Sequence, residues 1–163
     1  MRLSTRGRYA VMAMVELAAR ERGGPSGSGR CQVSLADIAQ AQLLSLAYLE
    51  QLFGPLRRAA LVVSARGPGG GYRLARPARD ISIAAIVEAV DEPIHATRCE
   101  ESGPGCLAGQ RCLTHDLWAE LGGQIRLFLA SMSLADVIEG RVLGRASAPH
   151  GAEVAHHPAE AAK

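Results

Sequence analysis

Apolar residues return at three- and four-residue steps along much of the chain. From Ser4 to about Glu21 they fall at Tyr9, Met12, Ala13 and Leu17, which predicts a helix with Ser4 or Thr5 as its N-cap. Ser34 and Asp37 have the spacing of a capping box ahead of Ile38 and Ala39, so a short second helix is expected. After Gln40 to Leu44, Ser45 can cap a third, in which Leu46, Leu49, Leu52, Phe53 and Leu56 form the buried stripe. The period then changes. Leu61 to Ser64 reads as a strand and Gly71 to Leu74 as its partner, joined by a tip that is nearly all Gly and Pro. Helical spacing resumes over Ser82 to Asp91, with Ile83, Ile86, Val87 and Val90 facing inward.

From Thr114 to Ser131 a longer helix carries Leu117, Trp118, Leu121, Ile125, Phe128 and Leu129 on one side. A domain this small has little core left for such a stripe, so it is expected to pack against its twin in a homodimer. Ser133 opens one more short helix through Val137 and Ile138. Gly23 to Gln32 is a flexible loop holding Cys31, read as a lone exposed thiol. From Gly144 onward no period remains, and the segment with His150, His156 and His157 is expected to be a disordered tail.

Two short helices joined by a brief turn, after a first helix, have the layout of a helix-turn-helix. Its second helix would lie in the major groove with Ala47, Glu50, Gln51, Arg57 and Arg58 exposed. The hairpin that follows would be a wing, and Arg66 at its base suits the narrow, negative minor groove. The expected fold is therefore mainly α with a small β-hairpin wing. Residues 1–80 form the winged helix-turn-helix domain, 81–140 the ligand loop and dimerisation helices, and 141–163 the tail.

Composition agrees with that division. Net charge is +2, yet residues 1–80 hold twelve Arg against five acidic residues, and residues 81–163 hold six basic against eleven acidic. A basic front half points to an anionic partner, double-stranded DNA. Arg2, Arg6 and Arg8 stand at the start of the first helix, where an anion would be welcome. No segment approaches the ~20 apolar residues of a membrane span, and the start lacks a signal peptide's features. A cytoplasmic protein with reduced cysteines is expected.

The densest chemistry lies between Cys99 and His115. Six residues separate Cys99 from Cys106, five separate Cys106 from Cys112, and two separate Cys112 from His115. Thiolates and an imidazole suit zinc or an iron–sulfur cluster far better than magnesium or calcium. Zinc knuckles use short gaps, and only Cys112 and His115 form one. The wider, Gly-rich gaps favour a cluster, in which His can replace a cysteine. No nucleophile, base and orienting group stand together, so an enzyme is not expected.

With wing and cysteine loop both present, the sequence resembles the IscR-like family of iron–sulfur regulators over most of residues 1–140. The pieces that carry this are Met1 to Leu3, Gly7 to Val11, Tyr48 to Phe53, Arg66 to Tyr72, Ala89 to Glu92, Ala96 to Cys99 and Cys112 to His115. The resemblance implies a homodimeric transcription factor holding a 2Fe–2S cluster through Cys99, Cys106, Cys112 and His115. It also implies that cluster occupancy changes which promoters are bound, and that Glu50, Gln51 and Arg66 read DNA. The wider DNA-facing set is Arg2, Ser45, Tyr48, Glu50, Gln51, Arg57, Arg58, Arg66, Gly69 and Gly70. A nitric oxide or redox sensor on the same scaffold, or a zinc-stabilised interaction module, are the competing readings.

The sequence departs from the family in places. The first cysteine gap is one residue longer, and His95 is a competing fourth ligand. The Gly23 to Gln32 loop is longer than usual. Leu43 stands where Gly is usual in the turn. Pro55 lies inside the recognition helix, where it removes a backbone bond and is expected to kink or loosen the last turns.

Overall fold

The structure, a computed structural model, describes residues 4–23, 32–67, 69–90 and 111–142. Helix α1 spans Thr5–Gly23. Ser4 is its cap: the Gly7 amide donates to the Ser4 hydroxyl at 3.0 Å. Helix α2 spans Leu35–Gln42 and is capped by Ser34, whose hydroxyl accepts from the Asp37 amide. That hydroxyl in turn donates to the Asp37 carboxylate at 2.7 Å.

Helix α3 spans Leu46–Arg58, capped by Ser45. It continues through Pro55, and the Ala59 amide returns to the Pro55 carbonyl at 2.9 Å. Pro55 lacks the N–H that would bond four residues back to Gln51. Gln51 is solvent-exposed, so water can take that carbonyl and the helix need not end.

Both α2 and α3 close with a left-handed residue that is not glycine. Leu43 has φ 53° and Ala60 φ 54°. After each, the next amide reaches back five residues, Leu44 to Ala39 at 3.0 Å and Leu61 to Leu56 at 3.0 Å. This is the Schellman closure. The second one turns the chain directly into the hairpin, with Leu56 and Leu61 both buried.

Strand β1 (Val62–Ala65) begins one residue later than the apolar run suggests. It pairs antiparallel with β2 (Gly71–Leu74) in the register Val62 to Leu74 and Ala65 to Gly71. The other edge of β2 is also held. Val33 and Tyr72 exchange amide–carbonyl bonds of 2.9 and 2.8 Å, so the residues entering α2 act as a third, one-residue strand.

Past a single 3-10 turn over Ala78–Asp80 come helix α4 (Ile83–Val90), helix α5 (His115–Ser131) and helix α6 (Leu134–Ile138). Helices α1 and α4 pack most extensively. They meet at Gly7, where a Cβ would lie 3.0 Å from the Val87 side chain.

One core runs through both parts of the chain. It joins Met14 and Leu17 of α1 to Leu52 and Phe53 of α3, then to Ile81, Ile86 and Val90, and finally to Met132 and Leu134 beyond α5. The core therefore does not stop at residue 80. The chain returns to it after α5 through a second one-residue pairing of Ser82 with Ser133. There the Ile83 amide donates to Met132 at 2.9 Å and the Leu134 amide to Ile81 at 2.8 Å. Ser133 and Asp136 complete a reciprocal capping box at α6, and Arg141 pairs with the largely buried Asp136.

Candidate nucleic-acid interface and metal-ligand turn

Helix α3 is held by its own packing against the core. Its inner face buries Leu49, Leu52, Phe53 and Leu56 completely, each contributing roughly 1.5–3 kcal/mol. Its outer face leaves Ala47, Glu50, Gln51, Arg57 and Arg58 exposed, as the spacing predicts. Leu46 departs from expectation. It is 45% exposed rather than part of the inner stripe. Helical side chains lean toward the N-terminus, so a first-turn residue points past the helix end into solvent.

Ser45 and Tyr48 serve the helix itself. The Tyr48 amide donates to the Ser45 hydroxyl at 3.2 Å. The Tyr48 ring, half-buried, stands edge-on to Tyr9 with centroids 5.9 Å apart. The Arg8 guanidinium lies 5.7 Å from the Tyr9 ring centre. A line of contacts thus joins the basic start of α1 to the first turn of α3. Sequence spacing gave no sign of the Tyr9–Tyr48 pair, because the two lie on different helices.

The wing is thin and braced. Gly67 and Gly69 have φ 101° and 75°, and the Gly70 amide donates to Gly67 at 2.8 Å. A Cβ on Gly70 would meet the Ala65 carbonyl oxygen at 2.6 Å. Gly67, Gly69 and Gly70 thus bring no side chains to the hairpin end, and Arg66 at its base is exposed. Phe53 and Tyr72 stack edge-on at 4.8 Å, and Arg57 reaches the Ser64 hydroxyl at 3.5 Å. These two contacts add to the shared core of Leu52, Leu56, Leu61, Val62 and Leu74 in holding helix and wing together.

A polar brace sets α2 against α1. Glu16 accepts from Arg20 at 2.6 Å and from Gln42 at 2.9 Å. The Arg20 hydrogen bond above all, then that of Gln42, holds the Glu16 carboxyl below its usual range, against the opposing effect of burial.

Of the expected metal ligands, Cys112 and His115 are described. Both are half-buried. They share one turn, closed by the His115 amide donating to the Cys112 carbonyl at 3.0 Å. The Cys112 sulfur lies 3.4 Å from the Thr114 hydroxyl. His115 is also the first residue of α5. Cys99, Cys106, His95, Cys31, Arg2 and the tail histidines lie outside the described residues. The far side of α5 exposes Leu117 60%, Leu127 57%, Trp118 38% and Phe128 36%, with Glu120 and Gln124 exposed among them. Among the described residues, no helix is long and apolar enough to cross a membrane.

Comparison with known proteins follows the same lines. The family model Rrf2, described as an iron-dependent transcriptional regulator, matches residues 3–140. A protein of Azotobacter vinelandii assigned as the HTH-type transcriptional regulator ORF2 is 51% identical over 138 residues, covering 85% of this chain and 79% of that one. The HTH-type transcriptional regulator IscR of Serratia proteamaculans is 48% identical over 141 residues, covering 86% and 81%. Among solved structures, T. potens IscR superposes with a TM-score of 0.67 at 35% identity, covering 91% of this chain and 93% of that one. CymR, the global cysteine regulator of B. subtilis, superposes with a TM-score of 0.69 at 34% identity, covering 86% and 98%. These relatives are transcriptional regulators, not enzymes.

Proposed function

The chain belongs to the Rrf2 family of iron-dependent transcriptional regulators, and on that premise we propose that it is a cytoplasmic, homodimeric DNA-binding regulator of iron–sulfur cluster assembly genes. Its signal would be a 2Fe–2S cluster held by Cys99, Cys106, Cys112 and His115. The neighbouring folds include a cysteine regulator as well as IscR, so the fold alone does not choose the signal. The Cys and His set of this chain is what favours the cluster.

The observation that carries the reading is the position of the described ligand pair. Cys112 and His115 occupy the turn that begins α5. The donor chemistry fits: a thiolate and a neutral imidazole three residues apart are both iron ligands. When bound, the cluster supplies a centre that responds to iron supply and oxidation.

The residues of the chain do the rest. The two α5 helices pair through Leu117, Trp118, Leu127 and Phe128, covering apolar surface that one chain leaves in water. Helix α5 joins the core at its other end through Met132 and Leu134, next to the start of α4. Order at the ligand turn is thereby passed along one helix to the body that carries α3 and the wing. On DNA, Arg57 and Arg58 meet phosphates, Arg66 enters the minor groove, and Gln51 reads base edges. Glu50 can accept from cytosine N4 but repels phosphate, so it rejects some sites as well as selecting others.

The test is iron and acid-labile sulfide content on protein purified without oxygen. About two of each per chain, the stoichiometry of such a cluster, lost together in His115→Ala, is the expected result. Zinc without sulfide would make the turn structural and overturn the iron–sulfur signal.

A further inference from the structure

Large exposed apolar side chains fall in two groups among the described residues. One lies on α5 and just before it, and belongs to the pairing proposed above. The other stands at the leading end of the recognition helix. Leu43 is 93% exposed and Leu46 is 45% exposed, with Ala47 exposed beside them.

Leu43 is doubly out of place. Its backbone is left-handed, φ 53°, a conformation disfavoured for any residue with a Cβ. Its side chain is almost wholly in water. Glycine would relieve both, and a polar residue the second. Strain and exposure combined at one residue are a reason to look for a ligand there.

The surroundings narrow what that ligand can be. The Ser45 hydroxyl, between the two leucines in sequence, already accepts from the Tyr48 amide. Glu50 and Gln51 follow one turn along, and Arg57, Arg58 and Arg66 are exposed on the same helix and wing. An apolar protein surface would strip water from those guanidinium groups and offer nothing in return. Duplex DNA offers phosphates to them. On the base edges of its major groove it also offers one apolar group, the thymine C5-methyl.

We propose that Leu43, Leu46 and Ala47 form an apolar lip that reads thymine methyl groups within the bound site. This rests on the reading of the chain as a duplex-DNA regulator. It adds a specificity element to that interface: the turn before α3, and not only the helix face, selects sequence.

The experiment uses the full chain, purified without oxygen, and duplexes selected by it from a random library. Each thymine in a selected duplex is replaced in turn by deoxyuridine, which lacks only the methyl. One or two positions per half-site should lose about fourfold in affinity, the effect of one buried methyl-sized group. The same replacements should have no further effect in Leu46→Ala or Leu43→Gly. The Leu43→Gly variant keeps the left-handed turn and so remains folded. Equal affinity for every uracil duplex, while selected duplexes still outcompete scrambled ones, overturns the lip and leaves DNA recognition standing. Uracil effects that persist unchanged in both variants assign the methyl contact elsewhere and also overturn it. Failure to select any duplex overturns the DNA reading itself, and the lip with it.

Discussion

Gly71 lies against the backbone of Val33, so near that a Cβ on Gly71 would stand 2.5 Å from the Val33 carbonyl oxygen. The closeness follows from the bonds that Val33 exchanges with Tyr72. They fasten the wing to the residues that lead into α2. Gly71→Ala must push those strands apart or lose the pairing. A loss of about 1–3 kcal/mol is expected, the usual effect of overpacking, read as a lowered urea midpoint. Weaker binding to selected duplexes should accompany it. An unchanged midpoint would mean that the Val33 pairing contributes nothing.

Glu16 gives the pH dependence. Its carboxyl is held below the usual range, chiefly by the Arg20 hydrogen bond. Such a group stabilises the fold fully above its unfolded value and loses that contribution as pH falls through its folded value. Glu16→Gln should therefore lower stability by about 1 kcal/mol near neutrality. The gap from the unmodified chain should close as pH falls below about 4. Urea titrations at pH 7 and pH 3.5 check it. A gap that is the same at both values would show that the Arg20 bond is not felt in solution.

The α5 stripe predicts assembly. Leu117→Arg puts a charge where 60% of the side chain is in solvent in one chain. The monomer fold should survive, because Leu117 is no part of the core cluster. Sedimentation should shift from dimer to monomer. Trp118 is the sole tryptophan, so its emission should move to longer wavelength in the same variant. A dimer that persists would place the pairing surface off α5.

Much of this architecture was legible because short-range rules set it. Ser34, Ser45 and Ser133 each mark a helix start, and the structure uses all three as caps. The wing was visible in its glycines, and the exposed face of α3 in its spacing. What escaped were pairings between distant residues. Val33 with Tyr72 and Ser82 with Ser133 are single-residue bridges, too short to leave a period in the sequence. The left-handed closures at Leu43 and Ala60 escaped because neither residue is glycine. Leu46 was assigned inward by its spacing, which says nothing about a side chain leaning off a helix end. Pro55 was expected to kink or loosen the last turns, and the helix runs through it to Arg58. At the interface, the residue types at Glu50, Gln51 and Arg66 were readable, while the braces behind them, Tyr9 on Tyr48 and Phe53 on Tyr72, were not.

The join at Met132 and Leu134 gives α5 a fixed phase. One end of the helix is bonded to the core, and the turn of Cys112 and His115 rides on the other, seventeen residues away. Each residue added inside α5 would swing Cys112 and His115 about 100° around the axis and carry them about 1.5 Å outward. Lineages of this protein should therefore accept insertions ahead of Cys112 far more readily than within α5. The length of that helix is expected to vary as little as the residues it carries at its two ends.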